Sequence, residues 1–135
     1  MRTLRIGVGL MMASLAGCAW VTPGVDVGAA TWTLPDGFAV GAETTTFLAL
    51  VTERDCASGM SSEGRILGPE VEYGERSVIV TFRVRPLSGA QACPSNPATV
   101  VEVHLDEPLG NRTLLDGGRE PPSEPPICAE PPFCE

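Results

Sequence analysis

This chain of 135 residues contains no lysine, a single histidine and a single tyrosine, and only 5% of its residues are aromatic. Its nine basic residues are all arginine, against 17 acidic residues, so the formal net charge is −8. An acidic surface argues against nucleic acid and anionic lipid as partners. One histidine disfavours a zinc site built on imidazoles. No Gly-x-Ser-x-Gly motif indicates a hydrolase nucleophile.

The sequence also lacks long apolar runs and helical periodicity. The uncharged run of apolar and small residues at 6–15 is shorter than the roughly 20 residues that a helix needs to cross a bilayer. Outside that run, no window places apolar residues at i, i+3, i+4 and i+7. These absences argue against a membrane-spanning helix and against an α-helical domain.

The beginning of the chain has the layout of a secretory signal peptide. Arg2 and Arg5 supply the positive start, and the run at 6–15 matches the apolar region. Small residues then lead to the sequence Leu15-Ala16-Gly17-Cys18, which resembles the lipobox of bacterial lipoproteins. The resemblance implies cleavage before Cys18, diacylglycerol on its thiol, and a membrane anchor outside the cytoplasm. A signal peptide cleaved at another site and a short uncleaved anchor are the alternatives.

Composition divides the rest of the chain into three parts. Cleavage removes residues 1–17, which hold Arg2, Arg5 and no acidic residue, so 118 residues remain with a balance of −10. We expect a lipidated tether at 18–30, one folded domain at 31–118, and a tail at 119–135. The tail holds six prolines and no strand pattern. It is therefore predicted to be an extended arm outside the sheet, and its removal is expected to change stability little.

Alternation of apolar and polar residues predicts an all-β domain. At 77–85, one face carries Val78, Val80, Phe82 and Val84, and a second alternating segment at 99–105 directs Val101, Val103 and Leu105 inward. Turn residues recur about every ten positions, which favours six or seven short strands. The predicted fold is a small two-sheet β-sandwich, with a small, partly open β-barrel as the alternative.

Cysteine usage supports export. An even number in a small exported domain predicts a disulfide framework, here from Cys56, Cys93, Cys128 and Cys134. Three pairings are possible. We favour Cys56 with Cys93, and Cys128 with Cys134, because the last two lie in one short segment that can close as a local knot. Four thiolates on zinc are disfavoured, since no Cys-x-x-Cys pair occurs.

Three segments of the body carry a further resemblance. They are Asp55-Cys56-Ala57-Ser58-Gly59, Gln91-Ala92-Cys93-Pro94 and the run at 107–118. Together they resemble small secreted or lipid-anchored proteins of high-GC bacteria. That group has no assigned activity to transfer, so the resemblance implies an ordered domain and no chemistry.

Two groups of polar side chains are candidate sites. Glu102, His104 and Asp106 share one face of a predicted strand, where they either bind a cation or form a solvated surface. A second group, Arg54, Arg83 and Arg85, forms either an anion-binding spot or cross-strand pairs with glutamates. The sequence offers no pair of a nucleophile and a general base that would indicate an enzyme. We therefore expect a non-enzymatic, lipid-anchored module without cofactor or metal that contacts an envelope protein. The alternative is a small ligand-binding or hydrolytic protein with a site in its loops.

Overall fold

The computed structural model describes residues 26–134, which form seven β-strands. They are β1 (Gly28–Pro35), β2 (Thr46–Glu53), β3 (Ile66–Tyr73), β4 (Ser77–Val84), β5 (Thr99–His104), β6 (Thr113–Asp116) and β7 (Ile127–Cys128). Within this part of the chain no helix occurs that is long and apolar enough to cross a membrane. For residues 26–134, the prediction of an all-β domain with six or seven short strands is confirmed.

Hydrogen bonds join the seven strands into one curled sheet. Its order is β3-β4-β1-β2-β5, with β6 beside β4 and β7 beside β1. β1 produces the curl, because Gly28 and Ala29 pair with β4 whereas the residues from Ala30 to Thr33 pair with β2. The strands therefore form a half-barrel and not the two separate sheets of the predicted sandwich. This architecture is closer to the alternative, a partly open barrel.

The concave face of the half-barrel holds the core. Trp32 lies at its centre, stacked on Phe47 with ring centroids 5.4 Å apart and edge-on to Phe82 at 6.4 Å. The predicted inward side chains of β4 are all fully buried, as is Val103 on β5. The phase of both alternating segments is thus confirmed.

A buried carboxylate closes one side of this core. Asp116 Oδ2 accepts hydrogen bonds from Trp32 N at 3.1 Å and Arg119 Nε at 3.2 Å, and its Oδ1 accepts one from Gly118 N at 2.8 Å. Burial raises the pKa of Asp116 above its ordinary value, while the two backbone N–H groups and the Arg119 charge oppose the shift. Asp116 therefore joins the first strand to the sixth.

Both favoured disulfides are present in the structure, Cys56–Cys93 and Cys128–Cys134. The first links the loop after β2 to the loop before β5. The second closes the C-terminal segment on itself. Two disulfides favour an oxidising environment outside the cytoplasm.

The C-terminal tail packs on the convex face of the sheet, and its predicted separation from the sheet is wrong. Ile127 and Cys128 pair in parallel with β1, and Leu50 is buried against the Cys128–Cys134 disulfide. The prolines of the tail lack N–H donors, which is the basis of that prediction. Prolines keep their carbonyl acceptors, and those of Pro126 and Pro132 accept backbone hydrogen bonds from the body.

Candidate functional site

Two arginines, Arg54 and Arg83, lie near each other on the convex face of the sheet. Arg83 on β4 lies directly opposite Ala29 on β1, and Arg54, just after β2, donates its backbone N–H to the Ala29 carbonyl at 3.0 Å. Opposed residues on neighbouring strands project to the same face. Arg54 and Arg83 therefore lie on either side of Ala29 on the same face of the sheet. The small Ala29 side chain leaves an open floor between them.

A third arginine reaches this face because the chain passes very close to the sheet after β6. A Cβ at Gly117 would overlap the Thr81 hydroxyl, and one at Gly118 would overlap the backbone carbonyl of Ala30. Only glycine permits this approach. The two glycines thereby bring Arg119 beside Arg54, whose Nη1 donates to the Gly118 carbonyl at 3.2 Å.

Three adjoining cavities share Arg54 and Arg119, with volumes of about 400, 370 and 430 Å³. We call their combined surface the arginine groove. Its central part is lined by Arg54, Arg83, Arg119, Ala29, Thr31, Thr81, Ser123 and Glu120. One end extends to the Cys56–Cys93 disulfide and to Phe133. The groove is open, and its centre combines guanidinium and hydroxyl groups with the apolar surface of Ala29, Phe82, Pro121 and Pro122.

The charges of the groove are incompletely balanced. Within residues 26–134, neither Arg54 nor Arg83 has a carboxylate at ion-pair distance, and Arg119 contacts the buried Asp116. Arg83 faces Leu67 and Ala29 across the sheet, so the expected pairing with a glutamate does not occur for this residue. Asp55 and Glu120 also line the groove and have no ion-pair partner within residues 26–134, so the groove holds guanidinium groups and carboxylates that do not pair with each other.

Local contacts hold the Arg54 backbone in place. Asn96 Nδ2 donates to the carbonyls of Glu53 and Asp55 at 3.1 and 2.8 Å, on either side of Arg54. The Glu53 carboxylate is buried and pairs with Arg65 through two hydrogen bonds. This hydrogen bonding raises the pKa of Arg65, against the effect of its partial burial. Arg54 therefore extends from a fixed point on the sheet.

A separate cavity of about 400 Å³ lies beside Leu109 and Arg112. The Arg112 guanidinium makes three hydrogen bonds there. It donates to the Glu107 carboxylate and to the carbonyls of Pro108 and Leu109, and it lies over the Tyr73 ring. The arginine of this cavity is paired with a carboxylate, which distinguishes it from Arg54 and Arg83 in the arginine groove.

Of the candidate group Glu102, His104 and Asp106, the structure brings only the first two side chains into contact. His104 Nε2 lies 2.6 Å from Glu102 Oε1, and His104 Nδ1 lies 3.2 Å from the Thr46 hydroxyl across the strands. Asp106 instead donates its backbone N–H to the Tyr73 hydroxyl oxygen at 2.8 Å. Among residues 26–134, no three His, Cys, Asp or Glu side chains are grouped to hold a metal ion. These side chains are exposed on the strand surface.

Sequence reasoning identified part of the groove. It singled out Arg54 and Arg83, which the structure joins, and also Arg85, which does not line the groove. It missed Arg119, because the Gly117-Gly118 pair indicated only a turn. Two consecutive glycines beside a charged residue are the signal that could have suggested a close backbone approach.

Comparisons of this chain with known protein families, with curated proteins and with solved structures found no match. Its function is therefore inferred from the groove and from the motifs of the sequence. Cys18, the predicted lipidation site, lies outside the described residues.

Proposed function

We propose that this protein is a non-enzymatic binding module that is anchored outside the cytoplasm by lipid on Cys18 and binds an anionic partner of the cell envelope in the arginine groove. The lipobox-like sequence Leu15-Ala16-Gly17-Cys18 supports the anchor. The two disulfides support the compartment. The half-barrel then serves as a rigid carrier for the groove.

One observation carries the binding proposal: Arg54 and Arg83, on either side of Ala29, have no carboxylate at ion-pair distance within residues 26–134. A surface arginine without a partner is ordinary when it is isolated. Here two of them share cavities with Arg119 on a chain with nearly twice as many acidic as basic residues. Guanidinium groups bind carboxylates through paired hydrogen bonds, so the groove suits an anionic group.

The alternative of a hydrolytic protein has less support. The contacts of His104 with Thr46 and Glu102 lie on an exposed strand face, and none of these residues lines the arginine groove. A hydroxyl nucleophile also needs donors aimed at the developing oxyanion and exclusion of water. The described residues provide neither around His104, so binding without chemistry is the better proposal.

The anchor is tested by intact-mass spectrometry of the mature protein and of the Cys18→Ser variant. We expect wild type to begin at Cys18, to carry the lipid mass and to partition into detergent. The variant should remain unlipidated in the aqueous phase. An unmodified Cys18, or a mature N-terminus at another residue, would refute the anchor.

The groove is tested by titrating the mature protein with glutarate and following its backbone amide resonances. We expect the largest shifts at Ala29, Gly118 and their neighbours. Arg54→Gln should remove these shifts, whereas Arg85→Gln, outside the groove, is the matched control and should keep them. Equal shifts in both variants, or no shifts in wild type, would overturn the binding proposal.

A further inference from the structure

We propose that the ligand of the arginine groove is a linear polysaccharide that carries carboxylate groups. The inference rests on the proposed function and names the chemistry of the partner. It follows from three features of the groove: its extended shape, the hydroxyl groups of its lining and the spacing of its arginines.

The shape of the groove favours a chain over a compact molecule. Three cavities adjoin one another through the shared Arg54 and Arg119, and together they run from the Cys56–Cys93 disulfide to Arg83. Compact ligands are bound in enclosed sites that bury most of their surface. An open groove with several cavities in a row instead allows successive units of a polymer to occupy successive positions.

The lining favours sugar over peptide. At the centre of the groove, hydroxyl groups of Thr31, Thr81 and Ser123 accompany the arginines. These side chains both donate and accept hydrogen bonds, as sugar hydroxyls do. Peptide recognition relies on a free strand edge or on apolar pockets for side chains. Here β1 pairs with β2 on one side, and on the other side β4 and then Asp116 and Gly118 lie against it, so the floor of the groove offers no free strand edge.

The spacing of the arginines favours repeated carboxylates. Arg83 and Arg54 lie on either side of Ala29 on the same face of the sheet, so one chain-like ligand can present a separate carboxylate to each of them. Each planar guanidinium matches one carboxylate through two hydrogen bonds. Glu120 also lines the groove and has no ion-pair partner within residues 26–134. Its negative charge repels an anionic ligand, so removing that charge should strengthen binding.

The test measures binding of the mature, lipidated protein in detergent to a decamer of galacturonate by calorimetry. Two control probes are used. The methyl ester of the galacturonate decamer keeps the sugar and removes the charge, and poly-L-glutamate with ten carboxylates keeps the charge on a peptide. We expect the methyl ester and poly-L-glutamate both to bind at least fivefold more weakly than the galacturonate decamer. Arg54→Gln and Arg83→Gln should each weaken its binding about tenfold. Glu120→Gln should strengthen it, and Arg85→Gln should leave it unchanged.

The outcomes separate the two proposals. If poly-L-glutamate binds as tightly as the sugar polymer and depends equally on Arg54, the polysaccharide inference is wrong while the anion-binding function stands. If no charged probe loses affinity in Arg54→Gln and Arg83→Gln, both proposals fail. Thermal melts of each variant identify any loss of binding that comes from unfolding. An unchanged or weaker affinity in Glu120→Gln would also contradict the groove as the binding surface.

Discussion

Replacing Leu50 by alanine should destabilise this protein because the tail covers that side chain. Leu50 is only 6% exposed, and it contacts the Cys128–Cys134 disulfide on the convex face. Burying a leucine contributes about 1.5–3 kcal/mol, and the cavity left by its loss adds to the cost. We therefore expect Leu50→Ala to cost about 3 kcal/mol. Leu48, two residues earlier on the same strand and face, is 40% exposed, so Leu48→Ala should cost about 1 kcal/mol.

The measurement is urea unfolding of both variants beside wild type, with calorimetric melts as a second readout. Since 1 kcal/mol shifts Tm by roughly 4–8 °C in a domain of this size, Leu50→Ala should lower Tm by more than 10 °C. A chain ending after Gly118 provides the decisive comparison. It loses the cover of Leu50 and the hydrogen bonds from Leu34 and Ala98 to the tail.

In that shortened chain, Leu50→Ala should lower the free energy of unfolding by less than half as much as in the full chain. The reason is that truncation and substitution remove the same contact. The truncation itself should lower Tm by more than 10 °C. Equal costs of Leu50→Ala in both chains, or a truncated protein that melts within a few degrees of wild type, would refute the reasoning.

Three further predictions follow from the core and its links. Replacing Cys56 and Cys93 together by alanine should cost about 2–5 kcal/mol, measured by urea unfolding, and a smaller loss would show that loop closure contributes little. Phe82→Ala should cost about 3–5 kcal/mol and Thr81→Ala, on the other face, much less; similar melts would contradict the assigned phase of β4. Asp116→Asn should cost about 1–3 kcal/mol because its amide N–H₂ opposes buried donors. Since burial raises the pKa of Asp116 above 3.8, ionisation lowers wild-type stability as pH rises from about 3.8 through the raised pKa. The difference in free energy of unfolding between wild type and Asp116→Asn should therefore become smaller over that pH range. A difference that grows with pH would refute the direction of the pKa shift.

The strands could be predicted from sequence where the pattern is local. Alternation identified the buried faces of β4 and β5, because a period of two depends only on neighbouring residues. The same pattern could not distinguish a sandwich from a half-barrel, because that difference depends on where β1 changes partner, between Ala29 and Ala30. Nor does alternation reveal that β3 continues through Gly68 and Pro69, where its register against β4 shifts.

The site was harder to predict than the fold. Arg54 and Arg83 are 29 positions apart and come together only through their shared neighbour Ala29. Arg119 joins them through a close backbone approach that composition does not reveal. The burial of Leu50 under the tail likewise depends on contacts more than 70 positions distant. Register and long-range packing, rather than residue type, therefore determine this groove.

The position of β1 at the centre of the sheet sets the order in which the protein can fold. β1 comes first among the described strands, yet it pairs with β2, β4 and β7, the last strand. Asp116, bonded to Trp32, is 84 positions away in sequence. Such distant pairings give a high contact order and slow folding, in the range of milliseconds to seconds. A chain that emerges N-terminus first must therefore hold β1 incompletely paired until its final residues arrive.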